Sequence, residues 1–449
     1  MKDTSRPGRH RSGVPVSDHA SALSPTKRAA RIARVLARHG LGYLVDVVGL
    51  EHLVRRHDHT DAETAGPEHL REALEDLGPT FVKLGQLLST RADLVPPAYE
   101  NELTRLQDAA PPVAYTTVAR TVKRALGRPV DQAFASFERE PIAAASIGQV
   151  HGAVLHDGAR VAVKVRRPRI TDIVDEDLDL ITRLAEVAQR RWSLAARYDP
   201  VGLAQEFATT LRGELDYRRE GESADHIRRE LASTGLVHVP VVHWDHTTTE
   251  VLTLERIDGR KITDVDGLDA DGIDRAAVAR RFCDVYLQMV FVHGFFHADP
   301  HPGNVFVEPD GTVALVDYGM VGRVGTSTRQ SLGKVLVALV GMDADALAAA
   351  MAELGVAPSA DDARPLRDDL AEFLVNYGDK PLAELEIRSL LGDMLAVVRR
   401  HHLRLPHELA LLLKTVMTCE GVAEQLDPGF ELLPLLVPYA STLQQPARG

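Results

Sequence analysis

Apolar residues recur every three or four positions along much of the chain, which is the spacing of a buried stripe on an α-helix. The segment Glu68–Pro112 shows this pattern most simply, and Gly78-Pro79 interrupts it. Because glycine commonly follows a helix and proline favours the first turn of the next one, we predict two helices here. Their shared apolar stripe consists of Leu70, Leu74, Leu77, Phe81, Leu84 and Leu88.

The second of these helices also carries a polar face. Lys83, Gln86 and Thr90 fall together at positions i, i+3 and i+7, away from the apolar stripe. The pattern leaves two interpretations open: this face is solvated, or it meets another part of the protein.

An earlier segment, Lys27–Arg56, alternates apolar residues with arginine and lysine. We predict a basic amphipathic helix, or a pair of helices broken near Gly40-Leu41-Gly42. Such a helix can pack on the protein body with its basic face in water, or it can lie on a membrane surface. The sequence leaves both readings open.

Patterns typical of strands follow this helical region. Residues 141–154 and Arg160–Val165 read as two strands joined by the hairpin signal Asp157-Gly158, and Lys164 lies near the end of the second strand. Val251–Glu255 reads as a later strand that leads into a hinge.

Between these strands, the chain from Arg169 to about Leu231 is predicted to be helical. In one straight helix, Asp216 and Glu220 share a face at i and i+4, whereas Glu214 points elsewhere. Each of these carboxylates can be an ordinary surface group, unless it pairs with a charged residue from another part of the chain.

Composition narrows the classes of protein that remain. The chain has 449 residues, 45% of them hydrophobic, and a formal net charge of -12, so it can bury a large core and lacks the cationic surplus of a nucleic-acid-binding protein. Residues 1–26 lack an apolar core and are predicted to be disordered. Apolar runs such as Leu409–Val416, which Lys414 interrupts, are shorter than the ~20 residues of a membrane span. Cys283 and Cys419 are interpreted as buried packing residues of a cytosolic protein.

The strongest chemical signal is a histidine-containing loop followed by an acidic triplet. Residues 297–304 read His-Ala-Asp-Pro-His-Pro-Gly-Asn, and Asp317-Tyr318-Gly319 follows after a short turn. An aspartate, an asparagine five residues later and a D-aromatic-G triplet are the parts with which a phosphoryl-transfer site orients a nucleophile and holds Mg²⁺ on ATP. We therefore predict that Asp299 orients or deprotonates the nucleophile, and that Asn304 and Asp317 hold the metal.

Lys164 and the loop before its strand fit the same chemistry. A lysine in a V-A-x-K strand neutralises the α and β phosphates when a helix carboxylate holds it, and we choose Glu220 as that partner. Where a glycine-rich loop would cover the phosphates, this chain has Ala143-Ala144-Ala145-Ser146, whose Cβ atoms restrict positive φ. The phosphates of the nucleotide would therefore be held differently.

Two other classes of function remain open. The H-x-D-x-H pattern of His297, Asp299 and His301 could ligate zinc, although a zinc site leaves the asparagine and the D-Y-G triplet unexplained. Alternatively, the protein is a non-catalytic nucleotide-gated scaffold or a lipid-handling chaperone, in which ATP only switches a conformation.

Taken in chain order, these motifs resemble those of the UbiB/AarF (ADCK) family of atypical, protein-kinase-like proteins, over roughly residues 28–430. The resemblance rests on Lys83-Leu84-Gly85-Gln86, Ala143–Ser146, Lys164, Glu214-Leu215-Asp216, Glu220, residues 297–304 and Asp317-Tyr318-Gly319. It implies an α+β, two-lobed protein-kinase-like fold with a helical N-terminal extension and a helical C-terminal addition.

The resemblance also implies roles for individual residues. Lys83 and Gln86 would belong to an extension that folds across the active site, meets Glu214 and Asp216, and occupies the place of a protein kinase's peptide substrate. Glu255, at the hinge, is expected among the nucleotide-binding residues. The expected ligands are ATP or ADP and Mg²⁺, and the expected setting is isoprenoid quinone or lipid metabolism.

These expectations divide the chain into a disordered tail 1–26, a helical extension 27–112, an N-lobe 113–255, a helical C-lobe 256–440 and a tail 441–449. The expected partners are a nucleotide, a membrane lipid or quinone precursor, and quinone-biosynthesis proteins, without nucleic acid. We expect a cytoplasmic protein that is peripheral on a membrane and does not span it. Its expected activity is that of an atypical kinase or an ATPase, and not that of a typical protein kinase.

Overall fold

A computed structural model describes residues 25–53, 66–91, 93–106, 110–191, 199–356, 364–378 and 387–443. Residues 1–24 of the predicted tail, residues 54–56 of the basic segment and residues 444–449 lie outside these ranges. The first helix already begins at Pro25, and the last one ends at Leu443.

The N-terminal extension is helical, as predicted. Its elements are α1 Pro25–Arg38, α2 Gly42–Val47, a 3-10 turn Glu51–Leu53, α3 Pro67–Leu77, α4 Pro79–Leu88 and α5 Pro97–Leu103. Prolines begin α3, α4 and α5, where the amide that proline lacks would have no helical partner. Gly78 separates α3 from α4 with a positive φ of 103°, which confirms the predicted break.

Helix α1 packs its apolar face on the protein body. Ile32 and Leu36 are buried in one core with side chains of α3 and α4. Arg28 is buried as well, and its guanidinium lies 2.6 and 2.7 Å from the two carboxylate oxygens of Asp177. Arg34 is exposed on the basic face. The protein itself therefore covers the apolar face of this helix.

An antiparallel sheet of five strands follows. The elements around it are α6 Tyr115–Leu126, α7 Val130–Ala133, β1 Ser136–Phe137, β2 Ala143–Ala144, β3 Gly148–Val154, β4 Arg160–Arg166 and, later in the chain, β6 Val251–Glu255. The strand order is β1-β3-β4-β6, and β2 pairs with β3. In β4, Val161, Val163 and Val165 are buried in one cluster with side chains of α6, so Lys164 lies on the opposite face of the sheet.

The segment between β4 and β6 contains separate helices, α8 Ile170–Arg191, α9 Pro200–Glu214 and α10 Tyr217–Leu231. The region is helical as predicted, but the condition of one straight helix, under which Asp216 and Glu220 would share a face, is not met. Asp216 has an extended backbone, and its carboxylate accepts a hydrogen bond from the Arg218 amide at 3.1 Å as the cap of α10. Because of this break, Glu214 and Glu220 belong to different helices.

The second lobe begins with short strands and helices. They are β5 Val237–His238, β7 Arg260–Lys261, α11 Val265–Ala270, α12 Arg275–Leu287, a π-helix Gln288–His293, β8 Phe295–His297, β9 Val305–Val307, β10 Val313–Leu315 and β11 Val321–Arg323. The strands form a sheet in the order β5-β10-β9-β7 and a pair of β8 with β11. Residues 297–304 and Asp317–Gly319 lie at the ends of these strands, which fixes both motifs in space.

The C-terminal part is helical. Its helices are α13 Thr326–Val340, α14 Ala344–Glu353, α15 Arg364–Gly378, α16 Ile387–Arg400, α17 His407–Leu426 and α18 Leu433–Leu443. Cys283 and Cys419 are buried and unbridged, which confirms their interpretation as packing residues. Within the described ranges, every helix is too short or too polar to span a lipid bilayer.

Candidate active site

A lysine, a glutamate and an aspartate from separate elements meet at one point. Lys164 projects from β4, and its Nζ lies 2.9 Å from each carboxylate oxygen of Glu220 in α10. The same Nζ lies 3.4 Å from Oδ1 of Asp317, which follows β10. The structure thus brings together three of the residues that the sequence motifs single out.

Two carboxylates share this one ammonium group, and their pKa values move in opposite directions. Burial raises the pKa of Glu220 to about 7; Lys164 opposes this rise, and the negative Asp317 adds to it. Partial burial also disfavours the charge of Asp317, but the ammonium groups of Lys164 and Lys83 outweigh it and lower its pKa to about 2. Burial likewise disfavours the charge of Lys164, yet Asp317 and Glu220 raise its pKa well above the ordinary value. At neutral pH, Lys164 and Asp317 are therefore both charged, while Glu220 titrates.

The aromatic ring of Tyr217 lies against the ammonium group of Lys164. The Nζ of Lys164 lies 5.3 Å from the centre of the Tyr217 ring, and this ring is almost completely buried. A Cβ atom at Gly148 would collide with the Tyr217 hydroxyl, so the glycine of β3 allows the tyrosine to occupy this place. Burial raises the pKa of Tyr217, which keeps the phenol neutral beside the ammonium. The sequence motifs do not reveal this contact.

His297 supports the loop that carries Asp299. The imidazole is fully buried, with Nε2 at 2.8 Å from the carbonyl oxygen of Asp317 and Nδ1 at 3.2 Å from the Tyr286 hydroxyl. A proton assigned to Nε2 satisfies this network: Nε2 donates to the carbonyl, while Nδ1 accepts from Tyr286 and, at 3.3 Å, from the Asp299 amide. Both ring nitrogens are thus engaged in holding the loop, which does not suit a zinc ligand. No cluster of three or more His, Cys, Asp or Glu in the described ranges could hold a metal.

Asp299 and Asn304 face each other across this loop. The side-chain amide of Asn304 donates to Oδ2 of Asp299 at 2.9 Å, which leaves the Asn304 Oδ1 as an acceptor. Asp317 has a left-handed backbone with φ of 63°, a strained conformation that is common at functional sites, and its side chain is 49% exposed. The Asn304 Oδ1 and the Asp317 carboxylate are the hard oxygen ligands that Mg²⁺ prefers when phosphate and water complete its shell. These two residues therefore fit the predicted metal.

The N-terminal extension reaches the site through α4. Lys83 Nζ lies 2.8 Å from Oε2 of Glu214, and the two side chains are only 17% and 13% exposed. Gln86 donates from Nε2 to the Leu106 carbonyl at 3.1 Å and so binds another part of the extension. Of the contacts expected between these two motifs, the structure shows the one between Lys83 and Glu214, whereas Asp216 caps a helix. The polar face of α4 is thus partly an internal contact surface.

The alanine-rich loop Ala143–Ser146 lies at the edge of the first sheet. Ala143 and Ala144 pair with β3, and the Ala145 amide donates to the Gly148 carbonyl at 2.8 Å. Arg167 donates from Nε to the Ala145 carbonyl at 2.8 Å, and Ser146 is buried. The backbone of this loop is held from both sides, whereas its predicted contact with the nucleotide phosphates stays a prediction.

Glu255 ends β6, where the sequence predicts the hinge. Its Oε2 accepts from the Val241 amide at 3.1 Å and lies 3.2 Å from Nε2 of His238. Burial disfavours the charge of His238, but Glu308 and Glu255 outweigh it and raise its pKa. The Glu255 side chain thus stabilises the hinge, and its role in nucleotide binding stays a prediction.

A cavity of about 230 Å³ opens beside Glu220 and Gly319. Its walls come from α4, α9, α10 and α17 and combine hydroxyl, carboxylate and imidazole groups, among them Thr90, Thr210, Glu214, Ser223 and His407. A space of this size with hydroxyl and carboxylate groups in its wall, next to the charged cluster, can admit a small hydroxylated molecule or water.

Lys414 lies near the site, in the apolar segment of α17. The sequence pattern alone does not mark it as a functional residue. The next residue, Thr415, donates from Oγ1 to the Ala298 carbonyl at 3.3 Å, so this helix lies against the loop that carries Asp299. Burial lowers the pKa of Lys414, and the negative Asp299 and Glu100 oppose this shift. The available signal was a lysine inside an otherwise apolar helical segment.

The chain is similar in sequence to known proteins. Residues 105–351 match the ABC1 atypical kinase-like domain, and residues 370–431 match the UbiB helical domain. The chain is 37% identical to the uncharacterized protein sll1770 of Synechocystis, over 85% of this chain and 65% of that protein. It is also 37% identical to ACTIVITY OF BC1 COMPLEX KINASE 7, chloroplastic, of Arabidopsis thaliana, over 83% of this chain and 54% of that protein.

A third relative, the probable protein kinase UbiB of Xylella fastidiosa, is 37% identical over 90% of this chain and 76% of that protein. The solved structure of Rv3197 with erythromycin, from Mycobacterium tuberculosis, is similar with a TM-score of 0.58 and 26% identity, over 79% of this chain and 90% of that one. The chain spans less than two thirds of the length of the first two relatives. The domain matches, the relatives and the geometry of the site agree. The chain has the mixed, kinase-like fold with a helical C-terminal region that its motifs predict, and it belongs to the UbiB/ABC1 family of atypical kinase-like proteins.

Proposed function

We propose that this protein binds Mg²⁺-ATP and transfers the γ-phosphoryl group to water or to the hydroxyl of a small molecule, in isoprenoid quinone or lipid metabolism at a membrane surface. The observation that carries the proposal is the ammonium of Lys164, which lies 2.9 Å from Glu220 and 3.4 Å from Asp317. A lysine between a helix carboxylate and a metal-binding aspartate is how kinase-like enzymes hold the phosphates of ATP.

Each residue of the cluster has a defined task in this proposal. Lys164 neutralises the α and β phosphates, and Glu220 keeps the ammonium in place. Asn304 and Asp317 hold Mg²⁺, which supplies charge neutralisation at the phosphates. Asp299 orients the attacking hydroxyl or water and accepts its proton, and the bond from Asn304 at 2.9 Å fixes the carboxylate for this task. Positioning and electrostatics account for the catalysis.

The extension favours a small acceptor over a protein. Lys83 and Glu214 join α4 to α9 through a contact of 2.8 Å between mostly buried groups. Beside them lies a space of about 230 Å³, whereas a peptide substrate requires an extended groove. Membership of the UbiB/ABC1 family is the support for the metabolic setting, and the exposed basic face of α1 is compatible with a membrane surface.

A second candidate function is a nucleotide-gated scaffold or lipid-handling chaperone without turnover. The contact of Lys83 with Glu214 favours it, because an extension helix fastened beside the phosphate-binding lysine can respond to a bound nucleotide as a switch. The residues for nucleotide binding are the same in both cases.

Phosphate release from Mg²⁺-ATP by the purified full chain distinguishes the two candidates. The assay is run with and without phosphatidylglycerol liposomes, beside Asp317→Asn and a measurement of nucleotide binding. Turnover that the variant loses supports phosphoryl transfer, and stimulation by liposomes supports action at a membrane. Tight binding of Mg²⁺-nucleotide with no turnover under either condition would favour the scaffold.

A further inference from the structure

Helix α13 carries an apolar stripe that the fold covers incompletely. Its members occupy positions i, i+3, i+4, i+7 and i+8, which a helix normally buries; they are Leu332, Val335, Leu336, Leu339 and Val340. The first four are only partly buried, and Val340 is 53% exposed. This stripe lacks the close packing that its pattern would normally receive.

The stripe faces a cavity of about 240 Å³, which helices α16 and α17 close from the other side. Among the residues that the structure describes, all side chains that line it are aliphatic, aromatic or thioether groups, and the one hydroxyl among them, on Tyr377, donates to Asp393 at 2.6 Å. Leu391 and Met394 of α16 are also only partly buried. Protein interiors leave few voids larger than a water molecule, and apolar cavities take up apolar ligands.

We propose that this cavity binds part of the hydrocarbon chain of one lipid molecule. An apolar cavity of about 150 Å³ takes up benzene, so by proportion a volume of about 240 Å³ holds about ten carbon atoms. The volume is too small for a partner helix, whose diameter with side chains is about 10 Å. Val340 and Met342, which are 53% and 40% exposed, line the cavity at the surface and mark the entrance. The lipid head group and the rest of the chain stay outside, because the described side chains of the wall offer no charged partner.

Helix α17 connects the cavity with the active site. Leu412, Leu413 and Val416 line the cavity, while Thr415 of the same helix contacts the Ala298 carbonyl beside Asp299 at 3.3 Å. A bound chain would hold α17 in place against this loop, so we expect lipid to raise the turnover of Mg²⁺-ATP. This consequence rests on the proposed function, whereas binding of the chain does not.

Titration of the delipidated full chain with cis-parinaric acid, a fluorescent fatty acid, tests the site. We expect saturable binding at one site per chain. Leu336→Trp places an indole ring in the cavity and should weaken binding at least tenfold. Val375→Trp adds the same ring at a position that is 71% exposed and does not line the cavity, and it should bind like the wild type. Displacement by geraniol or by decanol, whose sizes match the cavity, then shows whether a polyprenyl or an acyl chain fits better.

A second variant, Leu391→Trp, fills the cavity from helix α16 and serves if Leu336→Trp does not fold. Thermal unfolding and Mg²⁺-ATP binding identify a folded variant. Equal affinity of the wild type and a folded filled variant, or no saturable binding by the wild type, would overturn the proposal. Probe binding that depends on the cavity, together with an absence of phosphate release, would contradict the proposed function and support the lipid site.

Discussion

The active-site cavity and the C-terminal cavity have similar volumes, about 230 and 240 Å³, but the first is lined by polar and apolar groups together and the second by apolar side chains. Around the first, charged groups compensate one another, as Lys164 does for Glu220 and Asp317. Around the second, apolar side chains surround a volume that no other described side chain fills. The difference is physical: a buried charge without a partner costs several kcal/mol, so the protein supplies partners for it, whereas an apolar wall can be completed by a ligand.

The largest effect should follow from removing the charge of Asp317. Asp317→Asn takes away the metal-binding carboxylate and an anion 3.4 Å from Lys164. We expect phosphate release at saturating Mg²⁺-ATP to fall ~10³-fold. Asp172→Asn, at a carboxylate that is 63% exposed, is the matched control and should keep the wild-type rate. An equal loss in both variants would show that the effect does not arise at the site.

The free energy of unfolding should depend on pH through Glu220, which shares the ammonium group of Lys164 with Asp317. The folded protein has a pKa of about 7 at Glu220, against 4.5 ordinarily, so it binds this proton more tightly than the unfolded chain does. The stabilisation from this group is complete below pH ~4.5 and is lost as the pH rises through ~7. The free energy of unfolding of the wild type, relative to Glu220→Gln, should therefore fall by about 2–3 kcal/mol over this interval, as measured by urea denaturation without nucleotide. A difference that is flat with pH would contradict the raised pKa of Glu220, which burial causes and Lys164 only partly offsets.

A smaller loss is expected at Lys414. Lys414→Met keeps the apolar stem in α17 but removes the charge that acts on Asp299, so kcat should fall about tenfold while KM for ATP changes little. Lys414→Arg should restore most of the rate. If Lys414 only fills space, the methionine variant will have the wild-type kcat and the same pH profile.

The smallest effect is the change in phosphate release when a ligand occupies the C-terminal cavity. We expect cis-parinaric acid to raise phosphate release roughly fivefold, at the low end of typical coupling between two sites. Leu336→Trp should remove this stimulation, and Val375→Trp should retain it. Stimulation that persists in the filled variant would place the responsive site elsewhere.

The sequence reveals the charged cluster better than the apolar cavity. Asp299, Asn304 and Asp317 are recognisable because phosphoryl transfer requires their types at a fixed spacing. The break at Asp216 is not predictable from periodicity, because the helical pattern continues on both sides and only the local backbone shows the cap. The position of Lys414 depends on how α17 packs on a distant loop.

The apolar stripe of α13 illustrates the same limit. Leu336 and its neighbours form the pattern of a buried helix face, and this pattern is identical whether protein or ligand covers the face. Whether a space remains depends on where α16 and α17 lie, which no local signal specifies. Binding of an apolar ligand therefore had to be inferred from the packed structure.

Phosphate release from Mg²⁺-ATP by the chain, compared with Asp317→Asn under identical conditions, tests the central claim most directly. We predict measurable turnover by the wild type and a loss of ~10³-fold in the variant, while both proteins keep the same thermal unfolding midpoint within a few degrees. Equal turnover by the two proteins, or tight nucleotide binding by a wild type that releases no phosphate, would contradict phosphoryl transfer at this site.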